Sequence, residues 1–255
     1  MKYVVVIPSY QRADILNEKT LMMLKEGGVP KNRIHIFVAN NEEKSDYEAA
    51  IPKSMYHKII VGVKGINQQR AFISKYFPEK THIVSIDDDV ADMLEIKGGK
   101  FLPTHNLHSF FEKAFNDLSK MKLKLWGVFP TPNPFYAEPQ QPVTTKLRFI
   151  IATLYGYVNR HKMVLDSPIE EKEDVENTIK HFLKDGGVLR YNHVSFKTKF
   201  KNPKGGLGAH KDRLIANQKA AEWLHKTYPK LTRIKVRKNG MHEIVLVAPR
   251  TSKPV

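Results

Sequence analysis

Residues 82–89 read His-Ile-Val-Ser-Ile-Asp-Asp-Asp. A short apolar run fit for a buried strand is stopped at once by three carboxylates, Asp87, Asp88 and Asp89. Ligands of α/β sheets sit off the carboxyl ends of the strands, so the three acids fall where a ligand is expected. Adjacent carboxylates repel one another unless a proton or a cation relieves them. A divalent cation held by oxygen ligands is the usual relief. A helix start would also use an Asp, as an N-cap favoured by the helix dipole. Three in succession strain that reading, and we take the stretch as a metal site.

Upstream, strands and helices alternate. Residues 3–7 form an apolar strand ending at Pro8-Ser9-Tyr10, with Arg12 just beyond. A short helix around Leu21 and Leu24 stops at Gly27-Gly28 and Pro30. Residues 34–39 make a second strand that ends in Asn40-Asn41, and 42–50 a helix. Residues 58–63 make a third strand followed by Gly65, and a helix over about 67–76 leads into the opening stretch. This order predicts an α/β fold with a doubly wound, mostly parallel sheet. Ser9, Arg12, Asn40, Gly65 with Arg70, and the aspartates then share one sheet edge. Each alone is accounted for as a loop residue, but together they make a crevice suited to a nucleotide diphosphate with a metal. Neither a P-loop nor the dinucleotide-binding glycine pattern follows the first strand.

Downstream, Leu107, Phe110, Phe111, Ala114 and Leu118 recur at helical spacing and mark a core-facing helix. His105 and His108 ahead of it have no acid or cysteine beside them and read as helix-start residues. Residues 125–129 resume a strand, 131–134 form a proline-rich loop, and 147–157 read as further strand. An acidic patch follows: Asp166, Glu170, Glu171, Glu173, Asp174 and Glu176. The helix behind it ends at Asp185-Gly186-Gly187, so dipole compensation explains part of the patch. The chemical reading is that Glu173 or Asp174 faces the crevice as a general base.

The chain of 255 residues is ordinary in apolar and charged content, has no cysteine, and carries a formal charge of +16. Disulfides, thiolate metal sites and cysteine nucleophiles are thereby excluded. No apolar run approaches a bilayer span, Met1-Lys2-Tyr3 leads straight into a strand, and a cytoplasmic protein is expected. Residues 186–255 hold 16 Lys and Arg against 3 Asp and Glu, while residues 1–185 hold 26 against 23. Such a back half favours a polyanionic partner. Within it, Lys197, Lys199 and Lys201 alternate with Phe196, Thr198 and Phe200, and Arg233, Lys235 and Arg237 with Ile234 and Val236. Period-two alternation puts each trio on one strand face, as a phosphate track or as a guard against edge pairing. Asn239-Gly240 predicts a hairpin into residues 242–247. Gly205-Gly206-Leu207-Gly208 is either a linker or a loop that brings His210 to the metal.

Assembled, these residues resemble the GT-A type glycosyltransferases. The likeness rests on Val-Ile-Pro-Ser-Tyr-Gln-Arg at 6–12, Gly65 with Gln69-Arg70, and Asp87-Asp88-Asp89 as the DxD motif. Glu173-Asp174 before a helix and the late His210 extend it. The basic tail is similar, more narrowly, to TET/JBP-associated glycosyltransferases, a DNA-modifying branch that includes base J glucosyltransferase and phage enzymes. The resemblance implies a UDP-sugar donor, Mn²⁺ or Mg²⁺, and transfer of glucose or a pentose such as arabinose to hydroxymethylcytosine or hydroxymethyluracil in DNA. It makes residues 1–100 the nucleotide-sugar half and 101–255 the acceptor half of one compact domain, with mixed and antiparallel strands added late. Pro8, Tyr10, Arg12 and Asn40 would hold the uridine, and Arg70, Asp87 and Asp88 the ribose and diphosphate side. Asp89 would ligate the metal with His210, His242 being the reserve. Asp174, with Glu173 beside it, would be the base of an inverting enzyme or would position the acceptor in a retaining one. Lys197, Lys199, Lys201, Arg233, Lys235 and Arg237 would grip DNA around a flipped-out nucleotide. Three other readings compete: a glycosyltransferase for an acidic cell-envelope polymer, a phosphatase using Asp87 and Asp89, and a non-catalytic nucleic-acid-binding protein.

Overall fold

The structure is a computed structural model that describes residues 2–137, 141–163, 168–169, 171–198 and 210–249. Its first half follows the alternation in the sequence. Strand β1 (Val4–Pro8) is followed by a helix in three pieces: α1 (Ala13–Leu16), a π-helical turn (Asn17–Leu21) and α2 (Met22–Glu26). Then come β2 (Ile34–Val38), α3 (Asn41–Ala50), β3 (Lys58–Val61), α4 (Ile66–Tyr76) and β4 (His82–Ile86). Strand β5 (Val90–Lys97), β6 (Lys100–Pro103), α5 (Leu107–Met121), β7 (Leu125–Val128), β8 (Val143–Thr144) and β9 (Leu154–Val158) continue the chain. It closes with α6 (Glu173–Asp185), β10 (Leu189–Tyr191), β11 (Val194–Thr198), α7 (His210–Thr227), β12 (Thr232–Val236) and β13 (His242–Leu246).

Among the described residues the main sheet has the order β3-β2-β1-β4-β9-β7-β10-β8. Strands β1 to β4 are parallel, β9 runs against both β4 and β7, β10 is parallel to β7, and β8 is antiparallel to β10. The carboxyl ends of β1 to β4, β7 and β10 therefore open on one edge. Strands β11, β5 and β6 form a small antiparallel sheet, and β12 and β13 a hairpin.

Alternation along the strands divides the core into two faces. Val5 and Ile7 of β1 join Leu16, Leu24, Phe111 and Phe115 on one side. Val6 faces Phe37, Ile73 and Phe77 on the other. A further cluster on the helix α6 side packs Tyr155, Ile179 and Phe182 against Ala220 and Leu224 of α7. Helices on both faces of a mostly parallel sheet are what the sequence predicts. Gly156 lets β9 cross the fully buried Trp126, because a Cβ there would come within 2.3 Å of the indole nitrogen.

Residues 147–157 depart from expectation, since only Leu154–Val158 is strand. Leu147, Ile150 and Ala152 are apolar because an irregular segment is buried beneath α6, not because they pair in the sheet. His105 is exposed and His108 donates or accepts one hydrogen bond with the Tyr3 hydroxyl at 2.7 Å, which fits the helix-start reading. No helix among the described residues is long and apolar enough to cross a membrane.

Candidate active site

The carboxylates close β4 without starting a helix: Val90 begins β5 directly. Asp88 turns inward and is buried, while the side chains of Asp87 and Asp89 keep 32% and 17% of their exposure. The inner carboxylate accepts from Ser9 Oγ at 2.7 Å and from Arg12 Nη1 at 3.4 Å. Ser9 in turn meets the Tyr47 hydroxyl at 2.7 Å, and that oxygen accepts the Arg12 amide at 2.9 Å. Burial raises the pKa of Asp88, offset in part by Ser9 and Arg12. Asp88 is thus a strut between the ends of β1 and β4, whereas Asp87 and Asp89 keep part of their surface in solvent.

The turn that carries the three acids is tied from below. Thr20, fully buried in the π-helical turn, donates to the Asp87 carbonyl at 2.8 Å and accepts the Val90 amide at 3.0 Å. The Asp87 amide donates to the Thr153 carbonyl at 3.0 Å. Thr20 stands four residues from both Leu16 and Leu24 on an apolar stripe, and that polar interruption is the signal by which it could have been found.

The neighbouring strand ends are equally built. Pro8 is buried at the end of β1, and Tyr10 beyond it is exposed, with the Lys64 ammonium 5.4 Å from its ring centroid. Gln11 adopts φ 55°, a left-handed conformation costly for a side chain with a Cβ, and its amide donates to Glu43 Oε1 at 2.9 Å. Asn40 is exposed and uses Oδ1 to cap α3, accepting the Glu43 amide at 2.9 Å. Gly65 starts α4 at φ 97°, in the region that favours glycine. Gln69 is buried and bridges the ends of β2 and β3, accepting from the Val63 amide and donating to the Val38 carbonyl.

Residues distant in sequence complete the group. Lys172, at φ 63°, turns the chain into α6 and delivers Glu173 and Asp174 to the sheet edge. Arg70 pairs with Glu173 and reaches Asp87 Oδ1 and the Ala152 carbonyl, each at 3.4 Å. Asp174 accepts the Ala152 amide at 3.4 Å and the Val175 amide at 2.9 Å. Burial, with repulsion from Glu173, pushes its carboxyl up to about 7. Burial raises Asp87 to about 6, partly opposed by Arg70 and reinforced by Asp88 and Asp89. A cavity of about 70 Å³ lies alongside, lined by Arg70, Tyr155, Tyr157, Glu173 and Asp174 among others.

Asp87 and Asp89 fit a divalent cation of the kind that takes one or two carboxylates and completes its shell with substrate phosphates. Among the described residues no three His, Asp or Glu side chains gather into a closed metal site. His210 is the first residue of α7, but its side chain lies outside the described residues. His242 sits in the β12–β13 hairpin with Nδ1 3.1 Å from the Gly240 carbonyl. Of the cationic rows, Lys197 is exposed while Phe196 is buried, as alternation requires; Lys199 and Lys201 lie outside the described residues, as do Asp166 and Glu170. Arg233 and Lys235 are exposed, yet Val236 between the cations is exposed too, and Arg237 is paired with Glu243.

No protein-family model matches the chain, and no curated protein matches it. Solved structures do share its fold. S. aureus TarS 1-349 superposes with a TM-score of 0.51 at 12% identity, over 88% of this chain and 66% of that one. A mannosyltransferase from Pyrobaculum calidifontis, in complex with GDP-Man and Mn²⁺, gives 0.53 at 13% identity, over 89% and 64%. Glucosyl-3-phosphoglycerate synthase from Mycobacterium tuberculosis gives 0.53 at 13%, over 88% and 79%, and has also been solved with Mn²⁺ and UDP-Glc. The chain spans about two thirds of the length of the first two. Its α/β architecture is the GT-A fold.

Proposed function

We propose that the protein is a metal-dependent glycosyltransferase that uses a nucleotide sugar, with UDP as the carrier. The observation behind this is the convergence, on one edge of a GT-A sheet, of Asp87 and Asp89 with Arg70, Glu173 and Asp174. Solved structures of the same fold hold UDP-Glc or GDP-Man with Mn²⁺.

In this reading residues 1–100 supply the donor side and 101–255 the acceptor side. Asp87 and Asp89 would hold Mn²⁺ or Mg²⁺, which when bound neutralises the departing diphosphate as a Lewis acid. Tyr10 offers a ring to the uracil, and Asn40, its Oδ1 committed to the helix cap, offers its amide NH₂. Arg12 serves the donor indirectly, by holding Asp88 and standing 4.0 Å from Asp89. Glu173 fixes Arg70, which leaves Asp174 to take the acceptor hydroxyl proton in an inverting reaction. A carboxyl poised near neutrality suits that task. His210, the first residue of α7, would be the further metal ligand, with His242 the reserve.

For the acceptor we propose the hydroxymethyl group of a modified pyrimidine in DNA. Its support is charge: 16 cations against 3 acids after residue 185, with Lys197, Arg233 and Lys235 exposed. An anionic cell-envelope polymer is the second candidate, because the same excess of cations would draw it. The test is UDP release from UDP-glucose and UDP-arabinose with Mn²⁺, using hydroxymethylcytosine DNA, hydroxymethyluracil DNA, unmodified DNA and a poly(ribitol phosphate). Release stimulated by a modified DNA supports the full proposal. Stimulation by the polymer alone moves the acceptor, and no hydrolysis of any nucleotide sugar overturns the enzyme.

A further inference from the structure

Strand β7 is parallel to β4 and separated from it only by β9, about 10 Å at the usual strand spacing. Its exit therefore opens on the same edge as Asp87 and Asp89, on the side away from β1 and β2. The segment beyond it presents Phe135 and Tyr136, which are 83% and 63% exposed. No other large hydrophobic among the described residues is as exposed as either. Their rings meet edge to face, with centroids 5.0 Å apart at 89°.

This segment is held rather than loose. The Phe135 amide donates to Asn133 Oδ1 at 3.0 Å, and the amides of Tyr136 and Ala137 close turns onto the carbonyls of Asn133 and Pro134, each at 3.2 Å. Pro132 and Pro134 fix two further φ angles. At the entrance, the Phe129 amide donates to Val194 at 2.7 Å and Ser195 Oγ donates to the Phe129 carbonyl at 2.9 Å. On the far flank, Asn192 donates to the carbonyls of Pro142 and Gln141, both at 2.8 Å. The clamp at the entrance is β11, the strand on which Lys197 stands exposed.

Two adjacent rings held in solvent keep apolar area in water that no core buries, and burying it against a partner would be favourable. Their flat faces suit another flat ring, and a chain of charge +16 draws a polyanion to it. We infer that Phe135 and Tyr136 form a stacking platform for an unpaired base of the acceptor nucleic acid. This rests on the DNA reading above and adds to it where the unstacked bases go. Stacking of this kind tolerates every base, because each has a π-face.

The test is binding of a short labelled single-stranded oligodeoxynucleotide by anisotropy across a salt series, for the full chain and the Phe135→Ala/Tyr136→Ala variant. The double variant should bind about tenfold more weakly or worse, with the slope of log affinity against log salt unchanged, because the rings carry no charge. Tyr136→Phe should bind as the parent does, and thermal melting should report an intact fold in all three. An affinity within about twofold of the parent, or a lost salt slope, would overturn the platform while leaving the acceptor reading in place. A parent chain that binds no oligonucleotide, or binds only a neutral or polyol-phosphate glycan through these rings, would overturn both.

Discussion

At the residue scale the site depends on which acids are committed to the fold and which are not. Asp88 is held by Ser9 and Arg12 and so is tied into the fold more tightly than its two neighbours. Asp174 is different: it is anchored by backbone amides alone and is pushed up to about 7 by burial and by Glu173. If it is the base, kcat/KM should rise with pH through about 7 and then level, since only the carboxylate accepts a proton. Asp174→Asn should lower kcat by about 10²- to 10⁴-fold, with UDP affinity retained. A pH-independent kcat/KM, or a variant of full activity, would remove Asp174 from the chemistry. The acids themselves were legible in the sequence as a run at a strand end and a patch before a helix. Their division of labour was not, because it depends on Ser9, Tyr47 and Ala152 arriving from other strands and loops.

At the element scale the π-helical turn between α1 and α2 has a definite job. The hydroxyl of Thr20 clasps the carboxylate turn at Asp87 and at Val90. Thr20→Val keeps the shape but leaves the Val90 amide buried without a partner, which should cost about 1–3 kcal/mol of stability. It should also weaken Mn²⁺-dependent UDP binding, and Thr20→Ser should restore both in urea unfolding and titration calorimetry. Equal stability of the valine variant and the parent would show that the clasp contributes nothing. The first four strands and three helices were readable from apolar runs punctuated by Gly, Pro and Asn, because a parallel sheet buries its strands on both faces. The π turn was not readable, since one extra residue in a helix leaves the apolar spacing almost unchanged. Residues 147–153 misled for a related reason: Leu147, Ile150 and Ala152 are core residues in irregular backbone, and composition reports burial rather than pairing.

At the scale of the whole molecule, pH bears on stability through the packing of α6. His181 is buried with Nδ1 3.0 Å from the Asn177 carbonyl, and burial lowers its pKa to about 4. Between that value and the ordinary 6.5 the unfolded chain binds a proton that the folded chain does not. Its contribution is complete above 6.5 and is lost as the pH falls through the window, by about 3 kcal/mol in all. Asp174 acts in the opposite sense over much of the same range, so the parent alone would hide the effect. The parent minus His181→Gln difference isolates it in urea melts at pH 7 and pH 4.5, and parallel pH profiles would contradict it. The doubly wound architecture was legible because local alternation and global topology agree. The antiparallel insertion of β9 between β4 and β7 was not, for nothing local in Leu154–Val158 states its direction. The same insertion sets the exit of β7 about two strand spacings from that of β4. The central claim is that Asp87 and Asp89 couple a divalent cation to a nucleoside diphosphate. Calorimetric titration of UDP with and without Mn²⁺, on the parent and on Asp89→Asn, tests it directly. The parent should bind UDP at least about tenfold more tightly with Mn²⁺, a gain of about 1.4 kcal/mol, and Asp89→Asn should lose that gain while melting normally. UDP affinity indifferent to Mn²⁺, or a gain that survives Asp89→Asn, would contradict it.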